Sequence, residues 1–350
     1  MKQLAIIFTI FYFMFNILNA QELVVKELNP IPDATGFAGS FAGIINGNLV
    51  VAGGSNFPNG GAPWKGDAKV WYDKVFLLNN ENCNWQQIGK LPHAAGYGVS
   101  ISVPQGLICI GGSSKEEHYN DVFLLTIKGN RLSVDTLASL PVPLANMCGA
   151  LAENVIYIAG GITRPDADTT EALFFSMDIS KGLHEAKWQQ LPAWPGPTRM
   201  LSACVTVKNS FYLLSGAELK SSARNYLKDA YRYSPLTGWE QIADLPVATV
   251  AAPGPLLHTD EYLYLIGGDD GSNATKNLQL QHPGFLSTVY RYDLANDNWE
   301  KIADLKKSKK ELLIPVTTTS VFWKGKWIIP GGEIKPGVRT SKVFAISLKK

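Results

Sequence analysis

Glu333 and Arg339 stand six residues apart across Lys335-Pro336-Gly337. A proline followed by a glycine favours a turn, which would fold the guanidinium back towards the carboxylate. A carboxyl group so placed can pass protons to and from a bound molecule, and a guanidinium can hold an anionic group through two parallel hydrogen bonds. A plain salt bridge is the other reading of the same spacing. Glu333 directly follows Gly331-Gly332, at a place where other stretches of the chain carry Ser55, Ser113, Ile162, Ala217 and Asp269. A side chain at such a strand end should point to the axis that the repeats surround.

Further polar and aromatic residues follow the other glycine pairs: Asn56, Phe57 and Trp64; Glu116 and His118; Arg164 and Asp166; Glu218 and Arg224; Asp269, Asp270 and His282. Arg199 comes after the Trp194-Pro195-Gly196-Pro197 turn, at the start of an apolar run. Taken singly, most of these read as solvated loop residues. The five histidines show no HxH or HExxH spacing, so a histidine-based metal site is not expected. Cys83, Cys109, Cys148 and Cys204 are too scattered for a disulfide scaffold. The last three sit in apolar runs and read as buried free thiols, with a Cys148 to Cys204 bridge left open.

The elements that must position these residues come from a repeat. An apolar run ends in a glycine pair or near-pair at Gly53-Gly54, Gly111-Gly112, Gly160-Gly161, Ser215-Gly216, Gly267-Gly268 and Gly331-Gly332. The spacing of 49 to 64 residues is close to the period of kelch repeats. After each pair comes a polar loop and a second β-rich run. Trp85, Trp188, Trp239 and Trp299 follow four of those runs, and Leu-Pro follows at Leu91, Leu140, Leu191 and Leu245. Each unit reads as four short antiparallel strands whose two apolar faces must be covered by neighbouring sheets, with tryptophans filling the wide outer wedges. The sixth unit lacks a last strand, because the chain stops at Lys350. Leu23-Val24-Val25-Lys26-Glu27-Leu28 alternates like a strand and should supply it, closing the ring and removing exposed edges. The expected fold is all-β: one six-bladed kelch-type β-propeller over 21–350, its last blade closed by the N-terminal strand.

The chain has 350 residues, of which 46% are hydrophobic and 18% charged, enough apolar surface to exclude a mainly disordered protein. The net charge of +2 and the absence of a large basic block, beyond the short run Lys306, Lys307, Lys309, Lys310, exclude nucleic acid as an expected partner. That run reads as a solvated loop. Residues 1–20 order a lone Lys2, an apolar stretch from Leu4 to Leu18 and the small Ala20, the parts of a secretory signal peptide. Export to a bacterial periplasm follows as an expectation, with no membrane span once the segment is removed.

The stretch Gly331-Gly332-Glu333-Ile334-Lys335-Pro336-Gly337-Val338-Arg339-Thr340 resembles the signature segment of the N-acetylneuraminate epimerases, or sialate mutarotases. Gly36-Phe37-Ala38-Gly39, Phe41-Ala42-Gly43-Ile44 and Tyr97-Gly98-Val99-Ser100 extend the likeness over most of the mature chain. In the family the glutamate and arginine lie mid-chain. Here they fall in the last blade, so the chain resembles the cyclically permuted mutarotase branch. A closed ring tolerates such a shift of termini between loops.

The resemblance implies interconversion of the α and β anomers of a sialic acid, with Glu333 and Arg339 as the catalytic pair. Ring opening needs a base for the anomeric hydroxyl proton and an acid for the departing ring oxygen. A carboxyl group aided by water can serve both, which makes Glu333 the expected acid/base. Arg339 then holds the sugar carboxylate. Arg199, Arg224 and Asn56 are further candidates for substrate contacts, and Trp64 and Phe57 for apolar faces. No nucleotide, metal or redox cofactor is implied. The partner is a small sugar acid, and a homodimer stays open. A non-catalytic glycan-binding propeller is the rival reading.

Overall fold

A computed structural model of the chain describes residues 23–129, 131–307 and 310–349. The expected signal peptide lies outside the described residues. Six four-stranded antiparallel sheets follow one another along the chain. Blade 1 is built from Phe41–Ile45, Asn48–Ala52, Lys74–Leu78 and Gln86–Lys90. Blade 2 is built from Val99–Val103, Gly106–Ile110, Val122–Lys128 and Arg131–Thr136. Blade 3 takes Cys148–Ala152, Val155–Ala159, Phe174–Asp178 and Trp188–Gln190. Blade 4 takes Ala203–Val207, Ser210–Leu214, Ala230–Ser234 and Gly238–Ile242. Leu257–His258, Tyr262–Ile266, Thr288–Asp293 and Asn298–Asp304 make blade 5. Val321–Trp323, Lys326–Lys335 and Val338–Leu348 make the inner part of blade 6, and Leu23–Leu28 is its outermost strand. That N-terminal strand pairs from Leu23 with Leu348 to Leu28 with Val343, so the expected closure holds.

The core is distributed over the ring. Six of the hydrophobic clusters each bridge two adjacent blades, for example Ile108, Ile110, Ile156 and Phe175 between blades 2 and 3, and Ile266, Val289, Ile329 and Phe344 between blades 5 and 6. Burial against a neighbour is what gives each sheet its second face. At the outer edge the tryptophans add a directional link. The Trp85 indole donates to the Asn29 carbonyl at 2.8 Å, Trp188 to Ala138 at 2.9 Å, Trp239 to Pro192 at 2.9 Å and Trp299 to Ala243 at 2.9 Å. Each acceptor lies just past the outermost strand of the preceding blade, so one residue fills the wedge and satisfies a carbonyl across it.

The axis is closed by backbone. Tyr97 N–H donates to Gly39 C=O, Asn146 to Tyr97, Leu201 to Asn146, Ala251 to Leu201, Thr317 to Ala251, and Gly39 to Thr317, all at 2.7–2.8 Å. These six bonds form a complete circle, one residue from each inter-blade loop. Every member has a left-handed φ, between +53° and +68°. The glycine pairs lie just outside this circle. The second glycine has φ of +92° or more in all six, a conformation open to glycine alone. The first is an ordinary left-handed position, which is why Ser215 can stand there at φ +54°. The four cysteines are unpaired, and burial, with Cys148 adjacent, holds the Cys204 thiol well above its usual range. In the basic run Lys306 is exposed, as expected of a solvated segment, and Lys306–Lys307 pairs with Lys310–Glu311 as two short antiparallel strands.

Candidate functional site

In five blades the glycine pair ends the second strand. In blade 6 the strand resumes: Lys326–Lys335 runs through Gly331-Gly332 and turns at Pro336-Gly337 into Val338–Leu348. Proline at the first central position of the turn and Gly337 at φ +78° in the second are the requirements of a type II turn. A register shift between Glu333 and Lys335, where the turn alone would set Ile334 opposite Arg339, makes Glu333 and Arg339 direct cross-strand partners. Irregular pairing on either side of them, at Pro330/Gly332 and Glu333/Lys335, tilts the hairpin off the regular ladder.

The two side chains meet. Arg339 Nη1 lies 3.0 Å from Glu333 Oε1, and the same oxygen accepts the Gly337 N–H at 2.6 Å. The Arg339 side chain is only 4% exposed, whereas Glu333 keeps 18%. Nη1 is thus engaged by the Glu333 carboxylate, while Arg339 Nε has no hydrogen-bond partner among the described residues. Burial would lower the pKa of Arg339, yet the adjacent Glu333 carboxylate and Tyr97 hydroxyl raise it above the ordinary value. Phe57 is buried under the guanidinium, its ring centre 5.3 Å away. A fixed, buried cation thus lies beside a carboxylate that reaches solvent.

Both groups line a cleft of about 400 Å³ over the backbone circle, with Lys69, Tyr97, Asn146, Arg224, Asp269 and Thr317 also on its walls. The longest glycine-pair loops, 53–73 of blade 1 and 267–287 of blade 5, hold the hairpin from two sides. A Cβ on Gly337 would come within 2.6 Å of Pro63 and 3.0 Å of Trp64, and Lys335 Nζ donates to the Leu280 carbonyl at 2.8 Å. Trp64 and Arg224 border an adjoining side cleft of about 500 Å³. Phe57 and Trp64 therefore support the hairpin, and Trp64 also faces the side cleft.

Two of the expected substrate contacts lie elsewhere. Arg199 has no exposed surface: its Nε donates to the Pro197 carbonyl at 3.2 Å, Nη1 to the Ser215 carbonyl at 3.0 Å and Nη2 to Asp229 Oδ2 at 2.5 Å. It is a packing cation between Trp194 and Tyr231. Asn56 is 1% exposed, donating to the Gly36 carbonyl at 2.9 Å and to Asp33 Oδ1 at 3.2 Å while accepting from Tyr72 at 2.9 Å. Its amide is buried on these internal partners and does not line the cleft. Arg224 does reach the cleft rim, on the hairpin of Ala217–Lys220 and Ala223–Tyr226. His118 and His282 are buried; burial lowers both pKa values, and His282 Nδ1 accepts the Gly284 N–H at 3.1 Å, a neutral structural role.

Tyr97, Lys69 and Asn146 line the cleft without having been singled out as site residues. The motif Tyr97-Gly98-Val99-Ser100 was visible, but the position of its tyrosine on the axis depends on the closed circle.

Fold and cleft define a six-bladed β-propeller with a charged pair at the axial mouth, and a kelch motif matches residues 256–306. The chain is similar to the N-acetylneuraminate epimerases, as the Glu333 segment implied: the model of that family matches residues 18–134, which includes blade 1 and most of blade 2. A Brucella suis protein named N-acetylneuraminate epimerase is 34% identical over 123 residues, covering 32% of this chain and 31% of the relative. One from Salmonella typhi with the same name is 24% identical over 234 residues, 60% of this chain and 57% of the relative. The matches thus span less than two thirds of these relatives. A solved structure titled "Structure of YjhT" superimposes with a TM-score of 0.67 over 92% of this chain and 97% of its own, at 17% identity, and shares the fold.

Proposed function

We propose that this protein accelerates interconversion of the α and β anomers of N-acetylneuraminic acid or a close sialic acid, with Glu333 as proton-transfer group and Arg339 as the carboxylate-binding group. The observation that carries the reading is the buried Arg339 guanidinium, held 3.0 Å from Glu333 Oε1 in the wall of an open cleft. A guanidinium in a partly desolvated cleft attracts a carboxylate through a charge-assisted contact. Once the carboxylate is held there, the anomeric carbon, one bond away, lies next to Glu333. Glu333 Oε1 is engaged by Gly337 and Arg339, so the other carboxylate oxygen is the one that exchanges a proton with the anomeric hydroxyl. The names of the sequence relatives support the same chemistry. Export to the periplasm, drawn from residues 1–20, belongs to the same proposal.

NMR of freshly released α-sialic acid tests it. Wild type shortens the approach to anomeric equilibrium, Glu333→Gln slows it, and Arg339→Ala raises the KM. Sialate binding without any acceleration by wild type would favour a glycan-binding propeller instead.

A further inference from the structure

Opening a sugar ring moves two protons, one off the anomeric hydroxyl and one onto the ring oxygen, and Glu333 accounts directly for only the first. Of the residues in the axial circle, Gly39, Tyr97, Asn146, Leu201, Ala251 and Thr317, Tyr97 alone carries an ionisable side chain. An aromatic residue at φ +64° is an unusual use of the left-handed region and persists only where the surroundings impose it. Here the circle imposes it and holds the ring in the cleft wall.

Three groups converge on the Tyr97 hydroxyl. Ser55 Oγ is 2.7 Å away and has no exposed surface. Lys69 Nζ donates to the phenolic oxygen at 3.5 Å, and its ammonium lies 4.8 Å from the Tyr97 ring centre and 4.4 Å from that of Trp71. The Arg339 guanidinium interacts with both Tyr97 and Glu333. The guanidinium is thus flanked by a carboxylate and a phenol. A carboxylate seated on it would present the anomeric carbon and its two oxygens to both.

We infer that Tyr97 is the second proton-transfer group of the site, acting on the ring oxygen while Glu333 acts on the anomeric oxygen. This rests on the sialate reading above. In opening, Glu333 takes the anomeric hydroxyl proton, the O–H electron pair becomes the carbonyl π bond, and the carbon to ring-oxygen bond breaks with its electrons going to the ring oxygen. That oxygen takes the Tyr97 proton. The open keto acid turns about the bond beside the carbonyl. The freed hydroxyl then attacks the other face and returns its proton to Tyr97, and the new anomeric oxygen recovers a proton from Glu333. Both groups end as they began, with no net redox change. The Lys69 ammonium and the Ser55 hydroxyl meet the charge on the phenolic oxygen while its proton is away.

The test compares wild type, Tyr97→Phe and Lys69→Met by the same NMR assay, with sialate binding measured by calorimetry and folding by thermal melting. Tyr97→Phe should lower the rate about 10²-fold, the usual contribution of a positioned acid or base, with binding within about threefold of wild type. Lys69→Met, at a half-buried surface position, should fold normally and lower the rate about tenfold with binding retained, which keeps the inference testable if Tyr97→Phe folds poorly. A folded Tyr97→Phe with wild-type rate overturns the inference and leaves water as the second proton carrier, the sialate reading intact. A Tyr97→Phe that loses binding and rate in equal measure also overturns it, making Tyr97 a substrate contact only. A wild-type protein that does not accelerate anomerisation overturns the sialate reading itself.

Discussion

The molecule holds two arginine–carboxylate pairs that look alike in sequence and differ in what surrounds them. Arg199 with Asp229 lies in the wedge between blades 3 and 4, and each guanidinium nitrogen has an oxygen partner. Tyr231 donates to the same Asp229 oxygen at 2.7 Å. Arg339 with Glu333 lies at the axial mouth, nearly as buried on the cation side, yet both groups line the cleft and the carboxylate keeps 18% of its surface exposed. A cation enclosed by internal oxygens holds the fold; a charged pair that lines an opening is placed to meet a ligand.

The contrast is broken most forcefully at the enclosed pair. Arg199→Leu leaves Asp229 with its charge uncompensated, which should cost about 3 to 5 kcal/mol in urea unfolding. The folded fraction should keep its mutarotation rate. A loss of activity without loss of stability would reverse the assignment of the two pairs.

Alkaline titration sharpens the same point. Burial first, and the Asp229 carboxylate second, push the Tyr231 phenol up to about 12. The fold therefore favours the neutral phenol. Stability is unaffected below the ordinary tyrosine value near 10, then falls between pH 10 and about 12, where the unfolded chain ionises first, by about 2 to 3 kcal/mol from this group. Tyr231→Phe should remove that share of the alkaline loss in pH-dependent unfolding curves.

At the other pair, Arg339→Lys trades a planar fork for a point charge. Sialate binding by calorimetry should weaken about tenfold, while stability falls by less than in Arg199→Leu, because a positive charge is kept beside Glu333. An equal fall in stability would make this a structural pair as well.

A more solvent-exposed ion pair calibrates the low end. Glu81 Oε1 is 2.6 Å from Lys326 on blade 6, and Oε2 is 3.3 Å from Lys26 on the N-terminal strand. Their contact, chiefly the Lys326 hydrogen bond, lowers the Glu81 pKa. The stabilisation is present above the ordinary glutamate range and is lost as pH falls through the lowered value. Glu81→Gln should cost less than about 1 kcal/mol near neutral pH and should remove that part of the acid sensitivity, read from thermal melts across pH 3 to 7.

What could be read from sequence followed locality. Trp85 and its three counterparts, the glycine pairs and the alternating Leu23–Leu28 segment each record a constraint within one blade or between neighbours, so the blade count and ring closure were legible. Glu333 and Arg339 were legible in part for the same reason: the Pro-Gly turn folds the two back together, while the bulge between Glu333 and Lys335 that sets them directly opposite is not written in the spacing. Arg199 and Asn56 failed as ligand contacts because their partners, Asp229 and Ser215 in one case and Asp33, Gly36 and Tyr72 in the other, are brought in by packing that no spacing encodes.

The chain's own order of residues was enough to determine the repeat, the closing strand and the hairpin that folds a guanidinium back towards a carboxylate. Only the assembled ring decided which polar groups face the cleft and which are consumed inside it. Tyr97 reaches the site because six blades close their backbone bonds in a circle, and hydrogen-bond satisfaction is a property of everything that surrounds a group, not of its neighbours along the chain.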